Sequence, residues 1–335
     1  MIVGPPGTGP SDRPITQVVG RFAPSPTGGL HVGHARTFLV CWLMARSAGG
    51  KVVLRIEDLD TSRLRPGMIE QAMVDLRWIG LDWDEGPDVG GESGPYLQSL
   101  RFDHYAKALD RLKRANLVYP CTCTRAEIQR MASAPHQGEE GPVYPGTCSH
   151  RSPDDAAKLG DRPYTWRFRV VNEAIPWHDL FLGSVAENPA TTVGDFSVGR
   201  SDGSVAYQLA VVVDDAAMGV NQVIRGDDLR SSTPRQLLLS SALGLTAPRF
   251  GHVSLVGDQT GRRLAKRDES VKLATLRAEG VHPARLMGWV ARSLGLEPRD
   301  QSMPRDWVGT VPIIAGRDES IVLDLEAIRG PSGSL

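Results

Sequence analysis

Fourteen consecutive residues, Arg21-Phe-Ala-Pro-Ser-Pro-Thr-Gly-Gly-Leu-His-Val-Gly-His34, hold the densest chemistry in the sequence. They lie between a run with strand character and a helical pattern, which is where α/β folds bind ligands. A helix N-terminus offers unpaired N–H groups and a partial positive charge to phosphate. Glycines let a nucleotide approach the backbone there, and two imidazoles three positions apart can donate to its oxygens. An isolated His-x-x-His would read as two ordinary helix-entry histidines; the full string with its two prolines argues against that. A second cluster is Cys121-x-Cys123 followed by Cys148, three thiols of the kind zinc prefers. A closed structural site needs a fourth ligand, and His150, two residues beyond Cys148, has suitable chemistry; the competing reading is a metal-free loop with unrelated thiols. By contrast, Gly4-Pro-Pro-Gly-Thr-Gly9 only superficially matches a phosphate loop. It lacks the Lys-Ser/Thr that must follow, and Pro10 has no N–H to give.

Further on come Leu54-Arg-Ile-Glu-Asp-Leu-Asp60, Tyr207-Gln-Leu-Ala-Val-Val-Val-Asp-Asp215 and Val223-Ile-Arg-Gly-Asp-Asp-Leu229. In this order, and with Arg21-Phe-Ala-Pro-Ser-Pro-Thr-Gly, they resemble the glutamyl branch of the class I aminoacyl-tRNA synthetases over residues 18 to about 295. His31-Val-Gly-His34 matches the first signature of that class. The resemblance implies ATP-dependent formation of glutamyl adenylate, with ATP bound as its Mg²⁺ complex, and then transfer of glutamate to an RNA hydroxyl. It assigns Arg21, Ala23, Ser25, Glu57, Tyr207 and Arg225 to L-glutamate and His31, Gly33, His34 and Lys266 to ATP. Of these, His31, His34 and Lys266 are the expected catalytic groups.

The residue types suit those roles. A guanidinium binds a carboxylate through two parallel hydrogen bonds, so Arg21 and Arg225 fit the carboxylates of glutamate. Glu57 can pair with its ammonium, and the Tyr207 hydroxyl can supply a fixed hydrogen bond. The attacking carboxylate is already ionised, so the first step needs no general base; its barrier is charge accumulating on phosphate. The second class signature corresponds to Arg263-Leu-Ala-Lys-Arg267, which departs from the family in having Arg263 for Lys and Ala265 for Ser while keeping Lys266.

The resemblance is greatest to the short branch of the family, whose members attach glutamate to the queuosine base in the anticodon of tRNA(Asp). Only about 65 residues follow the lysine run, too few for a helical anticodon-binding region. The short branch also has a C-x-C…Y-x3-C pattern, which makes Tyr144 an alternative to His150 as fourth ligand beside Cys121, Cys123 and Cys148. One structural Zn²⁺ is expected there, holding an insertion that packs near the acceptor end of tRNA. The competing functions are a truncated synthetase charging a tRNA 3′ end, a tRNA-independent ligase using glutamyl adenylate, and a non-catalytic RNA-binding paralogue, the last motivated by Arg263 and Ala265.

The elements that must position these groups are a strand over 18–22, a helix from Gly33 to about Ser47 and a strand over 51–56, a βαβ unit that predicts a parallel sheet. Helices are expected over 67–79, 99–115 and 281–294, and from a capping box at Thr124 and Glu127. Strands are expected over 166–171, 205–213 and 252–256, and Thr233-Pro-Arg-Gln reads as a helix start with Thr233 as N-cap. Cys41, within an apolar helix, reads as a small buried hydrophobe. The expected fold is a Rossmann-like, doubly wound parallel-sheet catalytic domain of class I synthetase type with an inserted zinc module and no anticodon-binding domain. Its expected parts are a flexible leader (1–16), a first half (17–118), the insertion (119–204), a second half (205–295) and a poorly patterned C-terminal segment (296–335).

Composition sets the outer bounds. With 335 residues, 41% hydrophobic and 23% charged, the chain suits a folded enzyme-sized protein. A net charge of −1 gives no global attraction to nucleic acid, so tRNA must meet a local basic surface. Four cysteines are too few and too uneven for a secreted disulfide framework, which points to a reducing, cytoplasmic setting. No apolar run approaches the roughly 20 residues that span a bilayer, so no membrane partner is expected, and the protein is expected to act as a monomer.

Overall fold

The computed structural model describes residues 17–131, 142–258, 271–298, 301–310 and 321–330. The expected leader and the Arg263–Arg267 run, with Lys266, lie outside the described residues. Strands β1 (Val19–Phe22) and β2 (Lys51–Leu54) pair in parallel, Val19 opposite Lys51 and Phe22 opposite Leu54, and helix α1 (Val32–Ser47) joins them. Helices α2 (Met68–Trp78) and α3 (Phe102–Arg114) follow, then strand β3 (Val118–Cys121) and the short helix α4 (Arg125–Met131). The capping box at the start of α4 forms as its sequence predicts: Glu127 N–H donates to Thr124 Oγ1 (3.2 Å) and Thr124 N–H to Glu127 Oε2 (2.7 Å).

Strand β4 (Thr165–Phe168) pairs antiparallel with β3 and with β7 (Phe196–Arg200), forming a three-stranded sheet bulged at Trp166 and Arg167. Between them come β5 (Ile175–Asp179), β6 (Gly183–Glu187) and the single turn α5 (Pro189–Thr192). After β7 run α6 (Tyr207–Ala217), β8 (Gln222–Gly226), α7 (Ser232–Ala242), β9 (Arg249–Val253), β10 (Val256–Gly257), α8 (Leu273–Ala278), α9 (Pro283–Ser293), β11 (Ile321–Val322) and α10 (Leu325–Arg329).

Strands β8, β9 and β5 run parallel in the order β8-β9-β5, and β6 adds an antiparallel edge. Asn221 joins this sheet to β1: its Oδ1 accepts from Val19 N–H (2.9 Å), and its own N–H donates to the Val19 carbonyl (3.1 Å). Alternation along the strands shows that both faces are covered. Val52, Leu54 and Ile224 enter one apolar core with α1, α8 and α9, whereas Val53, Val223 and Phe250 enter another with α3, α6 and α7. Sandwiched this way, α1 buries residues all around its circumference, Cys41 included. Burial raises the Cys41 thiol to about 11, in keeping with an inert core residue.

Two expectations are corrected. Residues 207–217 form helix α6, not a strand over 205–213. The Val211–Val213 run has β propensity, but it is buried within a helix that packs on α3 and α7, so tertiary context overrides a weak local preference. Thr233 is not the N-cap of α7, which begins at Ser232; its hydroxyl is engaged with Arg225. The C-terminal segment, unpatterned in sequence, returns to the fold: β11 pairs with β10 in parallel and α10 packs on α9.

Two buried aspartates at the end of α6 tie the halves of the chain together. Asp214 accepts from Arg101 Nε (2.6 Å), Gln98 Nε2 (2.8 Å) and the Tyr105 hydroxyl (2.7 Å). Asp215 takes Arg55 Nη1 at 2.6 Å. Among the described residues no helix is long and apolar enough to cross a membrane.

Candidate active site

The first signature is built into the start of α1. His31 is the N-cap residue, and its Nδ1 accepts the Gly33 N–H at 3.1 Å, while His34 Nδ1 accepts the His31 N–H at 3.1 Å. The two imidazoles thus replace the Ser/Thr and Glu of an ordinary capping box. Because each Nδ1 accepts a hydrogen bond, the neutral ring carries its proton on Nε2. Gly33 is needed for the same reason: a Cβ there would meet His31 Cε1 at 2.9 Å and Nδ1 at 3.0 Å. Leu273 N–H donates to the Leu30 carbonyl (2.9 Å) and Lys272 bridges to His31, so the segment leaving the 259–270 stretch runs beside the histidines.

The parallel register of β1 and β2 continues beyond the strands, with Arg55 N–H donating to the Phe22 carbonyl (2.8 Å) and Glu57 N–H to the Pro24 carbonyl (2.9 Å). Arg21, Ala23 and Ser25 are alternate positions of one edge of this extension, and Arg55 and Glu57 lie on the other. Arg55, wholly buried, binds Glu57 Oε1 (3.1 Å) and Asp215 Oδ1 (2.6 Å), and Arg21 Nε lies 3.6 Å from the same Asp215 oxygen. Burial raises the Glu57 carboxyl above its usual range, although Arg55 and Arg21 pull it down. Tyr207, at the first turn of α6, faces the same charges: burial and the Glu57 carboxylate raise its hydroxyl, opposed by Arg225 and Arg21. Arg21, Glu57, Tyr207 and Arg225 therefore lie near enough for their charges to act on one another.

Arg225, on β8, is 3% exposed and is held by neutral acceptors: His252 Nε2 at 3.0 Å, Gln236 Oε1 at 2.9 Å and Thr233 Oγ1 at 2.7 Å. No carboxylate among the described residues lies within ion-pair distance of it. Burial without that compensation lowers its pKa to about 10. A buried guanidinium so placed favours an anion arriving from outside. Arg55, Asp215, Thr233, Gln236 and His252 were not assigned roles from sequence. Two aspartates ending an apolar run, Asp214 and Asp215, were the available signal, since charges in such a run need buried partners.

The thiols lie away from this pocket, where β3 ends. Cys121, Cys123 and Cys148 place their sulfurs within 4.8 Å of one another, with Cys123 and Cys148 at 3.7 Å. The Tyr144 hydroxyl is 3.2 Å from Cys121 Sγ and 3.8 Å from Cys123 Sγ, and it accepts the Cys148 N–H at 2.9 Å. Tetrahedral Zn–S bonds of about 2.3 Å put sulfurs roughly 3.7–3.8 Å apart, so the group fits that ion in size and donor type. Burial raises the Cys148 thiol, but the Thr122 N–H, hydrogen bonds from Tyr144 and Cys123 and the Arg151 charge together bring it to about 7. His150 is exposed and lines an open cleft of about 390 Å³ beside the thiols, together with Arg130, Arg151 and Arg162.

Comparison with known proteins places the chain in a family. Residues 17–303 match the family model described as tRNA synthetases class I (E and Q), catalytic domain. The chain is 48% identical over 318 residues to the glutamyl-Q tRNA(Asp) synthetase of Symbiobacterium thermophilum, covering 94% of this chain and 98% of that protein. It is 50% identical over 294 residues to the protein of the same name from Nitratidesulfovibrio vulgaris, covering 87% and 90% respectively. A crystal structure of a glutamate tRNA ligase from Elizabethkingia meningosepticum, in complex with its amino acid, superimposes with a TM-score of 0.80 at 29% identity, covering 93% of this chain and 68% of that one.

Proposed function

This chain belongs to the class I (E and Q) tRNA synthetases, a family of ligases, and from that premise we propose that it activates L-glutamate with ATP and transfers it to the queuosine base in the anticodon of tRNA(Asp). The observation that carries the glutamate assignment is Arg225, a buried guanidinium surrounded by neutral acceptors and near enough to Arg21, Glu57 and Tyr207 for their charges to act on one another. Glutamate brings two carboxylates and an ammonium, the charges that this set complements. Ala23 and Ser25, on the extension of β1, are assigned to the same substrate by the family resemblance. The acceptor assignment is supported by the two relatives named for tRNA(Asp), which align over nearly their whole length.

In the first step a carboxylate oxygen of glutamate attacks the α-phosphorus of ATP and pyrophosphate leaves with its Mg²⁺. The Nε2–H groups of His31 and His34 donate to phosphate oxygens on one side, and Gly33 keeps the backbone open to them. Lys266, which lies outside the described residues, would supply an ammonium to the phosphates. In the second step the acceptor hydroxyl attacks the activated carbonyl and AMP leaves. Zinc held by Cys121, Cys123, Cys148 and Tyr144 would fix the insertion without entering the chemistry, with His150 outside the ligand set.

The test is incubation with ATP and labelled glutamate, offering total tRNA from cells that make queuosine and from cells that cannot. Label confined to queuosine-containing tRNA, mapped by nuclease to the anticodon loop of tRNA(Asp), is the expected result. Label at the 3′ end of both pools would replace this reading with that of a synthetase charging tRNA. Label on neither, with glutamate-dependent pyrophosphate exchange intact, would point to another acceptor.

A further inference from the structure

Behind Arg225 lies a pair of residues, His252 and Asp179, neither of which is itself assigned to substrate. Arg225 Nε–H donates to His252 Nε2 at 3.0 Å, and His252 Nδ1 lies 2.5 Å from Asp179 Oδ2. Both side chains are completely buried. An arginine Nε can only donate, so His252 Nε2 must accept and the ring proton must sit on Nδ1, pointing at Asp179. Burial keeps the imidazole pKa below its ordinary value even with Asp179 in contact, so the ring stays neutral. Asp179 is fixed in turn: its Oδ1 accepts backbone N–H groups from Phe181 (3.0 Å), Leu182 (3.1 Å) and His252 (3.3 Å), leaving Oδ2 to face the ring.

We propose that Asp179 and His252 are positioning residues that lock one imidazole tautomer and thereby aim the Arg225 guanidinium at a substrate carboxylate. The inference rests on the glutamate reading of the pocket. The arrangement leaves one edge of Arg225 anchored by an acceptor that carries no negative charge. A carboxylate in that place would neutralise Arg225 and compete with the substrate; a neutral imidazole orients it and leaves its charge for the ligand. The anionic member of the chain stands one ring further back.

The geometry makes an isosteric test possible. In Asp179→Asn the three backbone donors hold the amide oxygen at the Oδ1 place, so the NH₂ group must face His252 Nδ1. That forces Nδ1 to accept and moves the ring proton to Nε2, where it opposes Arg225 Nε–H. His252→Asn keeps a polar group near the Nδ1 place but removes the acceptor for Arg225, whereas His252→Gln restores an acceptor near the Nε2 place.

The experiment measures the tautomer of His252 by long-range ¹H–¹⁵N correlation in labelled protein, and KM for glutamate and for ATP in pyrophosphate exchange with tRNA present, for wild type and the three variants. Expected are an Nδ1–H ring in wild type, an Nε2–H ring in Asp179→Asn, and a glutamate KM raised about tenfold in Asp179→Asn and His252→Asn, the size of one charged hydrogen bond. His252→Gln should recover most of that loss, and KM for ATP should hold within about twofold throughout. A folded Asp179→Asn with an unchanged ring, or a glutamate KM within twofold of wild type, would overturn the proposal. Failure of wild type itself to use glutamate would instead remove the functional reading, and the tautomer measurement, which needs no substrate, keeps the two failures apart.

Discussion

His31 and His34 cap the same helix reciprocally, each through its Nδ1 atom, the first on the Gly33 N–H and the second on the His31 N–H, both at 3.1 Å. One atom of each ring is thus spent on holding α1 in place and the other is directed by that bond. Structure and chemistry are separable here by substitution. Asparagine is among the best N-cap residues, whereas alanine costs about 1 kcal/mol at such a site. His31→Asn should therefore melt near the wild-type temperature while glutamate-dependent pyrophosphate exchange falls about 10²–10³-fold, the usual cost of removing one preorganised donor. Comparable exchange rates in His31→Asn and wild type would remove His31 from the chemistry.

Lys266→Ala should slow adenylate formation by about 10²-fold or more with the circular dichroism spectrum unchanged. Arg263 and Arg267 flank it in sequence, so the measurement also tells whether neighbouring charge can substitute. A rate near wild type would show that it can.

The protein as purified should hold one zinc ion per chain by atomic emission, and chelation should lower its melting temperature, since ligand binding is folding free energy. Cys121→Ser and Cys148→Ser should lose the ion. Tyr144→Phe should weaken retention about 10–100-fold, and His150→Ala should leave it intact. Loss of zinc from His150→Ala with retention in Tyr144→Phe would reverse the assignment of the fourth ligand.

Asp215 is the partner of a wholly buried arginine, and removing one member of such a pair strands the other charge. Asp215→Ala should cost about 3–5 kcal/mol in denaturant unfolding. A loss below about 1 kcal/mol would mean that Glu57 alone satisfies Arg55.

Asp75 on α2 is fully buried; its Oδ1 accepts from Gln71 (2.8 Å) and lies 3.4 Å from Arg277 Nη2, and its Oδ2 has no hydrogen-bond partner. Burial, only partly offset by Gln71 and Arg277, raises its pKa to about 6. The folded state then binds a proton that the unfolded chain has released, so this group's contribution to stability falls as pH rises from about 4 to about 6 and returns on acidification. Asp75→Asn should flatten the stability profile across that window, by up to about 1.4 kcal/mol per pH unit. Parallel profiles for the two proteins would show that Asp75 titrates normally.

The parts of the fold legible in sequence were those with short-range signals. The first βαβ unit, the capping box at Thr124 and helix α9 came from apolar patterns and cap residues a few positions apart. Helix α6 was not legible, because Val211, Val212 and Val213 favour a strand locally and only burial against α3 and α7 decides otherwise. Thr233 misled for a related reason: as a residue before proline it reads as a cap, but the fold brings Arg225 to its hydroxyl. Strand β11 is two residues long, and no local pattern could announce its pairing with β10. In the site, motif residues were visible one by one, whereas the Arg55–Asp215 and His252–Asp179 contacts span 160 and 73 positions and exist only once the chain has folded.

The aspartates at the end of α6 set an order on the protein's own synthesis. Until residues 214 and 215 have emerged from the ribosome, Arg101 has no carboxylate and Arg55 has only Glu57. At about 5–20 residues per second, the roughly 110 positions between Arg101 and Asp214 take on the order of 5–25 seconds to translate. During that interval the first half holds two guanidiniums that cannot enter an apolar interior unaccompanied, so its final packing waits for α6. Translation pauses placed once α6 has cleared the ribosome would then favour correct assembly, while earlier pauses would prolong the exposure of an incomplete core.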